Sequence, residues 1–192
     1  MPKIHTEEMP GFYLHYPTLV CIVTTKGFGK ENAMACAWHS PISAVPRLYG
    51  VSISPRRYTY DLILNSGQFA INFVPFEKAE LVAQMGAVSG RDMDKLARFG
   101  IETEAPLKLQ CPILKDAYAS YECQLYDHHT YGDHEWLVGE IVAIHYLEEA
   151  TTAENMINLA NIRPTLYLGA ERYLSSASEV IVHLDREKYR TQ

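Results

Sequence analysis

The sequence predicts a mainly β domain, a closed or split antiparallel barrel with short helices set into it. Three observations carry that prediction. Two apolar stretches, Thr18–Thr25 and Asn32–Trp38, flank a glycine-containing turn at Lys26–Glu31, as in a hairpin. Two later stretches, Ala117–Tyr126 and Glu135–Tyr146, alternate apolar with polar residues on either side of the polar run Asp127–His134, which predicts a second hairpin. The helical segments between them show no regular βαβ alternation, so a parallel sheet is not expected.

Taken in order, Thr18–Thr25 is β-branched and apolar at nearly every position, the composition of a strand covered on both faces. Its partner Asn32–Trp38 holds three alanines and a cysteine, so little side chain separates its backbone from whatever lies on that face. Close packing against another sheet and the approach of something flat both fit. Trp38–Pro46 reads as a polar connection broken by Pro41 and Pro46, leading into the strand Arg47–Ile53. Pro55 stops that strand, and Thr59 is placed to cap a short helix ending at Gly67. Gln68–Val74 is the next strand. Glu77–Met85 has helical composition, and Val88–Gly100 reads as a second short helix with Ser89 as its cap, Gly100 as its stop, and Arg91 and Lys95 exposed. A strand near Ile101–Ala105 and the two of the second hairpin, added to three or four N-terminal strands, give about six in all.

Composition narrows the class. A chain of 192 residues at 47% hydrophobic builds one sizeable core, so a single domain over residues 1–192 is expected, with a charged arm from about residue 174. The net charge of -6, with no run of Lys or Arg, excludes a nucleic-acid surface. Cys21, Cys36, Cys111 and Cys123 form no C-x-x-C pair and read as reduced, buried thiols. Acidic residues occupy the N-terminus and no segment stays apolar long enough to span a bilayer, so no membrane association and a cytoplasmic location are expected. The 13 tyrosines suit strand propensity, subunit contacts and ring stacking alike.

The chemistry concentrates at Val51–Thr59. A strand running into a helix start leaves backbone N–H groups unpaired, and here the hydroxyls of Ser52, Ser54 and Thr59 and the guanidiniums of Arg56 and Arg57 stand beside it. A phosphate monoester fits this donor set; so does a capped surface helix with two solvated arginines. His128, His129 and His134 lie close in sequence, but adjacent strand residues point to opposite faces, and no metal is expected. Gly27 and Gly29 lack the context of a dinucleotide-binding loop, and no nucleophile elbow is present. A bare strand, an Arg-rich helix start and a second polar helix start together could hold the ring, chain and phosphate of a flavin.

These pieces, in this order, resemble the flavin reductase-like family, the FMN-binding split barrels that include flavoredoxins and short-chain flavin reductases. The matching stretches are Thr18–Thr25, Asn32–Trp38, Val51–Thr59, Phe69–Phe73, Val88–Lys95, Gly132–His134, Val138–Glu140 and Leu166–Gly169. The resemblance implies a six-stranded antiparallel split β-barrel of Greek-key type, a homodimer, and one FMN per subunit. It implies that Asn32, Ala33, Met34, Ala35, Cys36, Ala37 and Trp38 lie along the isoalloxazine ring. Ser52, Ser54, Arg57 and Thr59, with Arg56 as a neighbour, would take the ribityl phosphate, and Ser89, Gly90, Arg91 and Lys95 would close over it. His134 matches a histidine that lies near the nicotinamide or flavin ring in some members. Two positions depart from the pattern: Ala37, where many members carry a hydroxyl, and His39.

The implied activity is an oxidoreductase passing electrons from NADH or NADPH through FMN to free flavin, a metal complex or a protein redox partner. A flavoredoxin-like carrier without its own nicotinamide oxidation is the alternative, and a barrel that binds no flavin is the third.

Overall fold

A computed structural model describes residues 1–8 and 14–176. The chain order is β1 (Thr18–Leu19), β2 (Cys21–Gly27), β3 (Lys30–Cys36), β4 (His39–Ser43), β5 (Leu48–Ile53), α1 (Tyr58–Ser66) and β6 (Gln68–Phe73). Then follow α2 (Ala79–Ala87), α3 (Lys95–Phe99), β7 (Thr103–Glu104), β8 (Ile113–Leu114), β9 (Ala119–Tyr131), β10 (His134–Tyr146), β11 (Thr165–Gly169) and β12 (Arg172–Ser175).

Among the described residues the main sheet has seven strands in the order β3-β2-β6-β9-β10-β5-β4, every pairing antiparallel. Its two edge strands, β3 and β4, are joined by residues 37–38 alone, so the sheet curls back on itself, and Ser52 N donates to Trp38 O at 2.8 Å just beyond the β4–β5 ladder. That is the split barrel expected, with one strand more than the six implied; the strand expected near Ile101–Ala105 is only the two-residue β7 and lies outside the barrel. The extra strand is β4, which the sequence suggested was an irregular connection. Pro41 sits in it without harm because β4 is an edge strand, where a missing N–H leaves no ladder bond unmade. Two small sheets, β1-β11-β12 and β7-β8, flank the barrel.

The second hairpin is tighter than its polar run suggested. Both strands extend through the histidines, and only Gly132 and Asp133 turn the chain, Gly132 at φ 64°. The helix expected over residues 88–100 shrinks to α3. Its N-cap is Asp94, which accepts from Ala97 N at 3.0 Å, whereas Ser89 accepts from Arg91 N in a local turn; Gly100 ends the helix in the left-handed region as expected. The charged arm from about residue 174 falls almost wholly outside the described residues. No helix among those described is long and apolar enough to cross a membrane.

The barrel core gathers Val23, Val51, Ile53, Phe69, Ile71 and Leu137. A second cluster, with Ile22, Val74, Val82 and Met85, joins α2 to the outside of the sheet. All four cysteines are free and buried. His39 is also structural: its ring bonds Leu19 O and the Tyr49 hydroxyl, and burial pulls its pKa down. A further buried polar group is Glu122, whose carboxylate accepts from the N–H groups of Leu107, Lys108 and Leu109 and pairs with His145 Nε2.

Helix α1 lies directly on β2. A Cβ built on Gly27 would stand 2.6 Å from Leu62 O and 2.8 Å from its Cα, so glycine is required for backbone to rest on backbone. Gly27→Ala is expected to push α1 outward and cost about 1–3 kcal/mol of stability, read as a lower urea midpoint. An unchanged midpoint would show that the helix is not seated there.

Candidate functional site

The turn after β5 delivers the helix start. Arg57 N donates to Ser54 O at 2.9 Å, Pro55 and Arg56 occupy the bend, and Arg57 is the N-cap of α1 with extended backbone and no side-chain cap bond. Thr59, expected as that cap, is instead inside the helix and buried. Its hydroxyl accepts from Asn32 Nδ2 at 2.8 Å, which ties α1 to β3. The first N–H groups of α1 and their partial positive charge therefore stay available at the bend.

A cavity of about 410 Å³ opens there, lined by Asn32, Arg56, Arg57, Thr59, the 85–91 segment and Lys95 among others. Four cations face it and no carboxylate lines it. Arg91 is partly engaged: it pairs with Asp61 and lies over the Tyr58 ring at 5.1 Å. Lys95, expected to be exposed, is buried. Its ammonium donates to Ala33 O and Met85 O, both at 2.8 Å, and burial, with a contribution from Arg57, pushes its pKa down to about 8. Two of its three donors are thus committed to carbonyls, and one remains.

Asn32 Oδ1 is buried without a hydrogen-bond partner, an uncommon condition for a side-chain amide. A Cβ on Gly90 would lie 2.0 Å from it, so only glycine lets the 88–94 loop approach so closely.

A second cavity, of about 210 Å³, is lined by Met34 to Trp38, Ser52, Ser54, Arg57, His134, Tyr16 and Tyr167. Trp38 and His134 face each other at its rim with ring centroids 4.8 Å apart, and His134 Nδ1 bonds Asp133 at 2.8 Å. A third, of about 610 Å³, lies between β3, α2 and the β11–β12 hairpin. Ala35 lines all three. They are lobes of one cleft running along β3, with its cations gathered toward one end, aromatic rings at the other, and Ala35 and Ala37 between them.

The structure thus brings nearly every expected site residue to one place. The exception is Ala33, which is fully buried against α2 and lines none of the three lobes. Sequence reasoning gave no role to Tyr16, Tyr58, Tyr167 or the Gly86–Val88 wall, which also line the cleft. Tyr58 and Tyr167 lie within the matching stretches Val51–Thr59 and Leu166–Gly169 without being singled out there, and Tyr16 had only the tyrosine content as a signal.

The flavin reductase-like domain model matches residues 13–174. The chain belongs to the flavin reductase-like family. A crystal structure of the FMN-binding protein from Thermus thermophilus with bound 1-cyclohex-2-enone is 33% identical, covers 95% of this chain and 100% of that one, and superposes with a TM-score of 0.85. Flavoredoxin from Methanosarcina acetivorans superposes equally well, TM-score 0.85 over 97% and 99% of the two chains, at 23% identity, and shows the fold. An uncharacterised protein of Aeropyrum pernix is 32% identical over 158 residues, 82% of this chain. The match spans 59% of that relative's own length.

Proposed function

We propose that this flavin reductase-like chain binds FMN in the cleft along β3 and works as an oxidoreductase, accepting electrons from NADH or NADPH and passing them to free flavin, a metal complex or a protein partner. The observation that carries this is the continuity of the cleft: a cation-lined lobe large enough for a phosphate joins, past Ala35, a stretch of β3 where Ala35, Cys36 and Ala37 set little side chain over the backbone. The donor set fits the group. Arg56, Arg57 and the α1 N-terminus take the phosphate, with Lys95 behind them. Ser52 and Ser54 face the ribityl chain, and Asn32 Oδ1, otherwise orphaned, accepts from one of its hydroxyls. Ser89, Gly90 and Arg91 close the lobe, and Met34 to Trp38 flank the ring with backbone groups and little side-chain bulk. Thr59 acts indirectly, by holding Asn32.

FMN, when bound, supplies two-electron chemistry from hydride and one-electron transfer onward. The chain's part is to hold the ring, exclude water along β3 and keep one side open near Trp38 and His134. No catalytic acid or base is assigned. His134 at the rim is a contact for nicotinamide.

Purified protein mixed with FMN is expected to retain a flavin absorbance band after desalting and to lose it on anaerobic titration with NADH or NADPH. Failure to retain FMN would sink the reading. Retention with bleaching only by a separate reductase would favour the flavoredoxin-like carrier.

The reading includes a homodimer. Val142, Ile144 and Tyr146 alternate along β10 and remain 37%, 42% and 60% exposed, an apolar stripe suited to a second copy of the chain. Light scattering after size exclusion tests it.

A further inference from the structure

A phosphate lobe needs positive charge, and Arg56, Arg57 and Arg91 already supply it. Lys95 adds an amine of a different kind. It is only 4% exposed, yet it lines the lobe, so its nitrogen is reached from the lobe rather than from open solvent. Ala33 O on β3 and Met85 O on α2 each take one of its N–H groups at 2.8 Å. An ammonium held in this way has one N–H left over. When that proton is lost both carbonyl bonds survive, and the remaining tetrahedral position becomes the lone pair. The two carbonyls belong to the elements Lys95 packs against, so the position left over is on the lobe side.

The surroundings favour the free amine. Burial, with a contribution from Arg57, pushes the Lys95 pKa down to about 8. The charged groups facing it are Arg56 and Arg57 from the bend before α1 and Arg91 from the 88–94 loop, all of one sign. Asp61 is paired with Arg91 and Asp94 caps Ala97 N, and neither lines the lobe. Near pH 8 about half of Lys95 is therefore a nucleophile, against less than about 1% of a lysine at its ordinary value. Anion donors and a nucleophile share one lobe of about 410 Å³, which suits a small reagent carrying both a phosphate and an electrophilic carbon.

We infer that Lys95 is a modification site for small acyl phosphates: the phosphate docks on Arg56, Arg57 and the first N–H groups of α1, and the Lys95 amine takes the acyl group. The nitrogen attacks the acyl carbon, and the bond from that carbon to the phosphate oxygen breaks with its electron pair. Inorganic phosphate leaves, taking up the proton that the nitrogen gives up. No oxidant or reductant takes part. The amide that results keeps one N–H for one of the two carbonyls, carries no charge and fills part of the lobe. Acylation thus removes a cation and some volume from the place assigned to the flavin phosphate. That consequence rests on the FMN reading; the reactivity rests on Lys95 and the lobe alone.

The full chain, with and without FMN, is incubated with acetyl phosphate at pH 8, and acetylated lysines are located by peptide mass spectrometry. Without FMN, Lys95 is expected to react at least about tenfold faster than any other lysine, at a rate that rises through pH 8 and levels off by about pH 9. Saturating inorganic phosphate or FMN should slow Lys95 alone. N-hydroxysuccinimidyl acetate, an uncharged donor, should react first with exposed lysines. Arg57→Ala should slow Lys95 acetylation at least about fivefold, because it removes a phosphate contact and lets the lysine hold its proton. Acetylation of Lys95 no faster than of exposed lysines, equal preference with the uncharged donor, or no protection by phosphate overturns the inference. The two readings fail separately. Chain that retains FMN and leaves Lys95 unacetylated once the flavin is removed loses the modification site alone, whereas chain whose Lys95 is protected by phosphate and not by FMN keeps the site and loses the flavin.

Discussion

Glu122→Ala is expected to destabilise the fold by about 3–5 kcal/mol, measured as a lower urea midpoint with an unchanged m-value. The wild-type carboxylate is fully buried and accepts from three consecutive backbone N–H groups, Leu107 to Leu109, as well as from His145. Removing it leaves those donors and His145 without their shared acceptor, and each unmet buried donor costs about 1–3 kcal/mol, less than additively because the largely exposed 107–109 loop can relax toward water. The same site predicts a pH signature. Burial by itself would raise the Glu122 pKa, but the His145 bond and the three N–H bonds outweigh it and hold the carboxyl below its usual range. A carboxyl depressed in the native state stabilises above its unfolded pKa of about 4.3, and that contribution is lost as the pH falls through the lower native value. Wild type should therefore lose stability more steeply than Glu122→Ala on acidification below that range. Parallel curves would show that Glu122 is not ionised in the native protein.

Arg57→Ala is expected to weaken FMN binding by about 10- to 100-fold, with the far-UV spectrum and urea midpoint near wild type. Arg57 is the N-cap of α1 but makes no side-chain cap bond, so little of the fold depends on it. It lines both the cation-rich lobe and the lobe beside Trp38, so its charge stands where the two lobes meet, the point to which the proposed reading assigns the join of phosphate and chain. One effect works the other way. Arg57 helps push the Lys95 pKa down to about 8, so its removal lets Lys95 hold its proton more firmly and recover part of the lost attraction. Arg57→Lys keeps the charge and loses the planar fork, and should fall between the two. Wild-type affinity in Arg57→Ala would remove the phosphate assignment.

Most of this site could be read from the sequence because it lies on short, contiguous stretches. Residues 32–38 and 51–59 carry the wall and the helix start, and the strand to helix transition at Pro55 brings its donors together locally. What could not be read was the long-range bonding. Thr59 has the composition of a cap, yet a residue 27 positions away claims its hydroxyl, and propensity says nothing about such a partner. Lys95 looked solvent-facing because lysine usually is; the carbonyls of Ala33 and Met85 that hold it come from two other elements. Pro41 argued against a strand, and only its place at the sheet edge makes it harmless. The tyrosines of the cleft came from residues 16, 58, 167 and 173, too dispersed for any one local pattern to join them.

The bond between Asn32 and Thr59 fastens the helix start to the bare strand before any ligand arrives. Because those two walls share one anchor within the protein, a guest entering the slot would have less chain to order there. Residence time would then depend on the guest's own grip at each end rather than on a slow rearrangement of its host.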